Sequence, residues 1–409
     1  MYLYYHQHSF SMHYLGYLPV LCLLLTRFVT EAPQEKPEAR RWYKGNLHTH
    51  SYWSDGDEFP EMILDWYKTH DYDFIALSDH NTIASDEKWI KVIKSKMYEE
   101  AFNSYLSKFG PDWVQYKVDS GRTHVKLKTF QEYRERMADK NFLIIPAEEI
   151  SDQAEGKPIH LCATNLQTLV TPQGGNTIRE VMQRNVDAVL NQRAKTGMPM
   201  FPHINHPNFH YAITTEDMIS LRGERFFEVY NGHPQVHNEG DSLHPGTEEM
   251  WDDINLAYLR RSQPMMMGLG TDDSHSYHQF GTAYANAGRG WVMVYAESLD
   301  ARALIGAMER GDFYASSGVT LKRIPAEKRA VAIEIEPEAG VNYTIEFIGA
   351  RKEDKKAAVL KRVTGTSAKF RLTDKHLFVR ARIVSSKLKS NPFRDQELEM
   401  AWTQPVVYE

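Results

Sequence analysis

Cysteine is nearly absent from this chain, with only Cys22 and Cys162 among 409 residues. Two cysteines cannot build a disulfide framework, and they exclude a zinc site made of four cysteines. Excess positive charge is also lacking, because the formal net charge is −6. A broad basic surface for a stable nucleic-acid partner is therefore not expected. The remaining composition, 42% hydrophobic and 25% charged, is that of a large globular protein.

Histidine is abundant, and it lies where apolar runs end. His48 and His50 are one residue apart, so in an extended strand both side chains point to the same side. Asp55 follows five residues beyond His50. Imidazole and carboxylate groups in this arrangement begin a metal site that needs no cysteine. Alone the pattern is weak, because two polar residues on a strand edge have the same spacing.

The pattern gains weight because it recurs along the chain. Continuous apolar runs are typical of strands buried on both faces, as in a parallel sheet. Counting the run before His48, seven such runs lead to His, Asp or Glu. The other six are 73–77 before Asp79 and His80, 142–145 before Glu148 and Glu149, 158–159 before His160, 198–201 before His203 and His206, 226–230 before His233, and 264–269 before Asp272, Asp273 and His275.

Helical patterns separate several of these predicted strands, at 60–67, 176–196, 248–261 and 299–309. Alternating strands and helices predict right-handed βαβ units and an α/β fold. Seven such strands with polar residues at their carboxyl ends predict a (β/α)7 barrel with its active face at that edge. An open doubly wound sheet is the alternative. It would normally carry a glycine-rich phosphate loop after the first strand, which this sequence lacks.

Taken together, the motifs of about residues 42–320 resemble the PHP (polymerase and histidinol phosphatase) superfamily of metal-dependent phosphoesterases. The resemblance implies a distorted barrel of seven strands that holds up to three metal ions. Glu149 fits the third motif of the family better than Glu148, and Asp273 fits the last motif, where Asp272 is an alternative register. The positions that match metal ligands are His48, His50, Asp55, His80, Glu149, His160, His206, Asp273 and His275.

The resemblance also implies how these ligands divide. One ion would lie on His48, His50 and Asp273. A second would lie on His160 and His206, with Glu149 bridging the two ions. A third would take Asp55, His80 and His275. Mixed imidazole and carboxylate ligands favour Mn, Fe or Zn over Mg or Ca.

The implied activity is hydrolysis of a small phosphate monoester or diester, of the nucleotide or sugar phosphate type, by a hydroxide that bridges two metal ions. Bound metal lowers the pKa of water to about 7, which makes hydroxide available at neutral pH. Glu149 and Asp273 are the expected catalytic carboxylates.

Four further residues are candidates for supporting roles. Asp79 is expected to orient His48 or His80 rather than to bind metal. His233 is a candidate proton donor or phosphate contact. His203 either lies on a strand surface or contacts the substrate. Arg289, between two glycines, either clamps a phosphate or belongs to a plain turn.

Two other functions remain open at this point. A metal-dependent hydrolase could cleave an amide or another ester on the same barrel. The chain could also be an inactive homologue that only binds a ligand. The second alternative is disfavoured because every expected ligand position carries a competent residue. The first is disfavoured by the family resemblance, since amidohydrolases are expected to show a carbamylated lysine or a different histidine pattern.

Three segments flank or interrupt the predicted barrel. The apolar run 14–25 and the small residues around 30–32 predict a signal peptide over residues 1–32, hence a periplasmic or secreted protein without a transmembrane span in the mature chain. No Lys or Arg precedes Arg27, so a cytoplasmic protein that starts at Met12 is the alternative.

Residues 85–140 form an insertion that either packs on the barrel or caps its mouth. Alternating patterns predict a small antiparallel β domain over 322–409. The oligomeric state stays open.

Overall fold

The structure is a computed structural model that describes residues 40–324 and 329–408. The predicted signal peptide lies outside the described residues. Among those residues, no helix is long and apolar enough to cross a membrane. The helices of the described residues are α1 (Pro60–Thr69), α2 (Lys96–Phe109), α3 (Phe130–Met137), α4 (Ile178–Thr196), α5 (Thr215–Ser220), α6 (Thr247–Arg260) and α7 (Ala301–Glu309).

The strands of the first half of the described chain carry most of the site. They are β1 (Arg41–Asn46), β2 (Phe74–Leu77), β3 (Trp89–Lys91), β4 (Tyr116–Asp119), β5 (Arg122–Lys126), β6 (Leu143–Ala154), β7 (Lys157–Thr164), β8 (Phe201–Ile204), β9 (Phe226–Asn231) and β10 (Met267–Thr271).

The remaining strands follow α6 and β10. They are β11 (Trp291–Ala296), β12 (Phe313–Ser316), β13 (Leu321–Arg323), β14 (Ala330–Ile335), β15 (Tyr343–Arg351), β16 (Ala358–Thr364), β17 (Ser367–Arg371), β18 (His376–Leu388), β19 (Leu398–Thr403) and β20 (Val406–Val407).

The predicted α/β class is confirmed as a mixed α/β fold around one large sheet. All seven predicted apolar runs contribute to strands, and α1, α4, α6 and α7 lie where the helical patterns are. The local signals act as expected: Pro60 begins α1, and Gly197 ends α4 in the left-handed conformation at φ 67°. Neighbouring strands of the main sheet follow the order β10-β9-β8-β7-β6-β2-β1-β11-β12-β19-β18-β15-β16, with β20 beside β18.

The sheet is not built of uniformly parallel βαβ units, which corrects the sequence-based expectation. Strand β7 runs antiparallel to both β6 and β8. Only Glu155 and Gly156 connect β6 to β7, with φ values of 55° and 72°. Two residues with positive φ make a tight hairpin, whereas a parallel crossover needs a dozen residues or more. His160 therefore lies in the first half of its strand rather than after its end.

The two outer strands of the predicted set, β1 and β10, meet beyond their carboxyl ends. The backbone N–H of His50 donates to Ser274 O at 2.9 Å, and that of Asp273 donates to His48 O at 3.0 Å. Thr49 and Ser274 form an isolated parallel bridge at the same place. The first and last metal motifs of the sequence are thus held side by side by the backbone.

The segments 85–140 and 322–408 have structures of their own. The first forms the sheet β3-β5-β4 with α2 and α3, and it packs on α1: the Tyr105 ring stacks on Phe59 at 4.1 Å, and Tyr105 donates to Glu61 at 2.7 Å. In the second, the predicted strands are present and pair antiparallel. There β15, β18 and β19 extend the main sheet, and the Gln404 side chain bonds both backbone groups of Gly268 in β10 at 2.9 Å.

Candidate metal centre

His48 and His50 follow the end of β1, and both imidazoles are fully buried. Their Nε2 atoms face each other at 3.1 Å. Asp273 Oδ1 lies 3.2 Å from His48 Nε2 and 3.3 Å from His50 Nε2. Atoms bound at about 2.0–2.1 Å to one tetrahedral centre lie roughly 3.3–3.4 Å apart. The three side chains therefore have the spacing of ligands around one ion.

Glu149, in β6, is the carboxylate around which the other imidazoles gather. Its Oε1 lies 3.1 Å from His160 Nδ1 and 3.5 Å from His206 Nε2. It also lies within 3.4 Å of His48 Nε2. The second oxygen, Oε2, lies 2.7 Å from His80 Nδ1 and 3.4 Å from His50 Nε2. A carboxylate placed between two sets of imidazoles fits the bridging position expected from the resemblance.

The third group lies nearer to solvent. Asp55, which follows β1 by nine residues, has its carboxylate 3.5 Å from His80 Nε2 and 3.4 Å from His275 Nε2. The Asp55 side chain is 56% exposed, so a ligand held here would be reached from outside. All nine predicted ligands thus enter one connected set of groups with metal-binding spacing.

The protonation states of Glu149 and His50 fit metal binding. Burial alone would raise the pKa of Glu149. The imidazoles of His160, His48 and His80 outweigh burial and hold that pKa well below its usual range. Burial, with the nearby His275, lowers the pKa of His50 to about 3. An ionised carboxylate and a neutral imidazole are the forms that bind metal. Although burial lowers the pKa of His80, Glu149 and Asp55 raise it to about 11, so a metal ion has to displace the proton of this imidazole. The donor set, imidazole and carboxylate without thiolate, suits Mn, Fe or Zn.

Asp272 and Asp273 have different environments, which bears on the register of the last motif. The Asp272 carboxylate accepts hydrogen bonds from Tyr67 and Asn46 and from the backbone N–H groups of Gly288, Arg289 and Gly290. Because these five donors occupy both oxygens of Asp272, its carboxylate is not available to bind metal together with the imidazoles. Asp273 lies among them instead, with a backbone φ of 50°. His206 also has a positive φ, 22°. Such conformations cost free energy in non-glycine residues and cluster at functional sites.

Glu228, in the centre of β9, is a residue of this site that the motifs do not point to. Its Oε1 lies 2.7 Å from His48 Nδ1, and its Oε2 accepts the backbone N–H of His206 at 2.8 Å. Hydrogen bonding at Nδ1 leaves the Nε2 of His48 free to bind metal. The signal in the sequence was a glutamate inside an otherwise apolar strand, since a fully buried carboxylate needs partners.

Asn205 supports the carboxylate ligand in the same manner. Its side-chain N–H donates to Glu149 Oε1 at 2.6 Å, and its side-chain oxygen accepts the backbone N–H of Cys162 at 2.9 Å. Asp79 holds the turn after His50 rather than a histidine ring. It accepts hydrogen bonds from Ser51 and Ser54 at 2.6 to 2.8 Å.

His233 follows the end of β9 and lines a pocket of about 410 Å³ that opens onto the ligands. Burial lowers its pKa to about 4, so its imidazole is neutral at neutral pH. The backbone N–H of Gln235 donates to His233 Nδ1 at 3.2 Å. The proton of the neutral ring is therefore on Nε2, from which the ring can donate a hydrogen bond to a ligand in the pocket.

His203 and Arg289 do not line this pocket. His203 is fully buried in β8, 3.5 Å from Glu228, rather than on a strand surface. Arg289 is 1% exposed, and its guanidinium donates to the backbone oxygens of Gly232, Tyr284 and Gly281. Its donors hold loops together, so the structure does not present it to a phosphate.

Neither a family model nor a curated protein sequence matches this chain. Solved structures do show similarity of fold. A two-domain protein from Bacteroides vulgatus that contains a predicted PHP-like metal-dependent phosphoesterase is 16% identical, with a TM-score of 0.40, over 89% of this chain and 96% of its own.

Two further structures each cover 57% of this chain at 12% identity. One is a candidate metal-dependent phosphoesterase from Bifidobacterium adolescentis, with a TM-score of 0.30 over 88% of its own chain. The other is an amidohydrolase from Chromobacterium violaceum with bound sulfate and no metal, with a TM-score of 0.26 over 87% of its own chain.

Proposed function

We propose that this protein is a metal-dependent phosphoesterase that hydrolyses small phosphate esters. The observation that carries the proposal is the convergence of six imidazoles and three carboxylates, with neighbouring ligand atoms 2.7 to 3.8 Å apart around Glu149 and Asp273. Two divalent ions in this set would carry four positive charges against three carboxylates, and three ions would carry six. The surplus positive charge suits a phosphate dianion.

Bound metal would supply a water molecule acidic enough to attack phosphorus near neutral pH and positive charge for the phosphate oxygens. Glu149 and Asp273 would hold the ions and, through them, the attacking water. As water adds to phosphorus, the bond from phosphorus to the alcohol oxygen breaks and the departing alcohol takes up a proton. Solvent in the open pocket supplies that proton. His233 is neutral and carries its proton on Nε2, because its Nδ1 accepts the backbone N–H of Gln235, so it would donate a hydrogen bond to a phosphate oxygen.

We also propose an architecture around this chemistry. The seven predicted strands would form a distorted barrel within residues 42–320, supported by the hydrogen bonds that join the ends of β1 and β10. Residues 85–140 would act as a cap, because Ile90 and Tyr98 line a second pocket that also contains Asp55. Residues 322–409 would form a supporting β domain, and residues 1–32 an export signal.

The test is metal removal and restoration. Protein dialysed against a chelator should hydrolyse no phosphate ester, and activity should return with Mn, Fe or Zn. The substrate panel should contain phosphate monoesters, nucleotides, cyclic phosphates, and a carboxylic ester and an amide for comparison. Hydrolysis of only the carboxylic ester or the amide would contradict the phosphoesterase proposal, as would phosphate hydrolysis that persists without metal.

A further inference from the structure

The pocket that contains the metal ligands has a second side, made of uncharged residues. Phe209, Pro234, Gln235, Tyr284 and Ala285 line the pocket together with the ligands. We call these five residues the uncharged wall. Their side chains are apolar, aromatic or amide. The other ionisable groups that line the pocket are metal ligands, apart from the His233 imidazole. Within the uncharged wall, only the Tyr284 phenol can ionise.

The uncharged wall is attached directly to the ligands. Phe209 lies three residues after His206, its ring is 5.1 Å from the His206 ring, and its backbone N–H donates to His206 O at 2.8 Å. The backbone oxygen of Ala285 accepts the N–H of His275 at 2.8 Å. Pro234 directly follows His233. A wall fixed to the ligands in this way is arranged before any substrate arrives.

Arg289 completes this support from behind the pocket. Its guanidinium donates to the backbone oxygens of Gly281 and Tyr284, at 2.9 and 2.6 Å. These bonds hold the loop that carries Tyr284, which is itself 37% exposed at the pocket mouth. Arg289 thus serves the shape of the uncharged wall.

We propose that the uncharged wall binds the organic part of the substrate, and that this part is uncharged and apolar or aromatic. The inference rests on the proposed function and narrows it to monoesters that carry a single phosphate group. A second phosphate would need cationic partners, as phosphate recognition in proteins commonly relies on Arg or Lys. An aromatic ring, in contrast, gains contact with Phe209 and Tyr284. The pocket volume of about 410 Å³ is enough for such a small ester.

The first test compares substrates with the metal-loaded protein. We expect kcat/KM for phenyl phosphate to exceed that for methyl phosphate by at least about tenfold, and that for fructose 1,6-bisphosphate by more. Phe209→Ala should lower kcat/KM for phenyl phosphate about tenfold more than it lowers kcat/KM for methyl phosphate, which corresponds to about 1.4 kcal/mol. The matched control is Phe280→Ala, which removes a 60% exposed ring from the same loop as Tyr284 but outside this pocket. It should change neither substrate.

A binding measurement separates this inference from the proposed activity. Phenylphosphonate, which cannot be hydrolysed, should bind the metal-loaded protein more tightly than methylphosphonate, and Phe209→Ala should remove the difference while metal content stays unchanged. Equal binding of the two phosphonates, or a preference for fructose 1,6-bisphosphate, would overturn the inference about the uncharged wall. Neither result would contradict the proposed phosphoesterase activity. If the protein hydrolysed no phosphate ester but still bound phenylphosphonate more tightly, the proposed activity would be wrong and the proposed role of the uncharged wall would stand.

Discussion

Glu148 and Glu149 are neighbours in β6, and alternation along the strand gives their carboxyl groups opposite surroundings. Glu149 lies among the imidazoles. Glu148 Oε1 accepts the backbone N–H of Val170 at 2.6 Å, and burial raises its pKa to about 8. Glu148 is therefore mainly protonated at neutral pH, and a glutamine closely resembles its neutral form. The pair provides a matched test of which residue belongs to the metal centre.

We predict that Glu149→Gln lowers phosphate ester turnover about a thousandfold or more, because both the metal ions and the attacking water lose a charged partner. Glu148→Gln should lower turnover less than about threefold. Steady-state kinetics of the two metal-loaded variants checks this. Near-normal turnover in Glu149→Gln together with inactive Glu148→Gln would shift the assignment by one residue.

Glu228 offers a second residue-scale prediction, with Glu224 at the start of the same segment as its control. Glu228 accepts four hydrogen bonds, from His48, Thr271, His206 and Asn231. A glutamine would turn an N–H group toward two of these donors. We expect Glu228→Gln to weaken metal binding about ten- to a hundredfold, as loss of a partner of a metal-bound histidine does.

The control follows from the state of Glu224. Burial raises its pKa to about 8, and it accepts only backbone N–H groups, those of Arg225 and Phe226. Glu224→Gln should bind metal as the unmodified protein does. Metal titration of both variants decides the point, and an equal loss in the two would assign Glu228 to general stability instead.

At the residue scale, the sequence points to metal ligands better than to their supports. A histidine or acid at the end of an apolar run is visible because the run itself marks the strand. Glu228 and Asn205 lie within or beside strands, and their partners are distant in sequence, so only the fold brings His48 to Glu228. Arg289 shows the converse: its two flanking glycines are compatible with a phosphate clamp or a plain turn, whereas its actual partners are carbonyl oxygens from two loops.

At the scale of elements, strand positions follow from apolar runs, but strand direction does not. The link between β6 and β7 is too short for a helix, and this signal would have predicted the hairpin. Strands β11 and β12 were not predicted, although β11 consists entirely of apolar residues and β12 is buried along its length. They pair with β1 and with each other, and so complete the sheet beside the first metal motif.

The contact between β1 and β2 leads to an element-scale prediction. A Cβ atom at Gly45 would lie 2.2 Å from the ring of Phe74, which is 1% exposed in the neighbouring strand. We expect Gly45→Ala to lower the free energy of unfolding by about 1–3 kcal/mol, the usual cost of overpacking. Denaturant unfolding measures this value directly.

Gly306 is the control, since it lies in α7 and a Cβ there meets only Arg310 Nη1 at 3.4 Å. Gly306→Ala should raise stability by up to about 1 kcal/mol, because alanine favours the helix. If the Gly45 variant were as stable as the Gly306 variant, the close packing of β1 on β2 would be refuted.

For the molecule as a whole, distant segments of the chain meet at buried charges as well as at the metal centre. Arg380, in β18, is 1% exposed and bonds both oxygens of Asp252 in α6, at 2.7 and 2.8 Å. Such a pair keeps the C-terminal strands in one place relative to the central helices, because separating it would leave charges buried without partners. No pattern in the sequence pairs residues 128 positions apart.

The most direct measurement of the central claim is the metal content of the whole protein. Nine ligands in one connected set are too many for a single ion, so elemental analysis of protein purified without chelators and reconstituted with Mn, Fe or Zn should find about two to three ions per chain. Fewer than about one ion per chain after reconstitution would contradict a metal cluster at the ends of these strands.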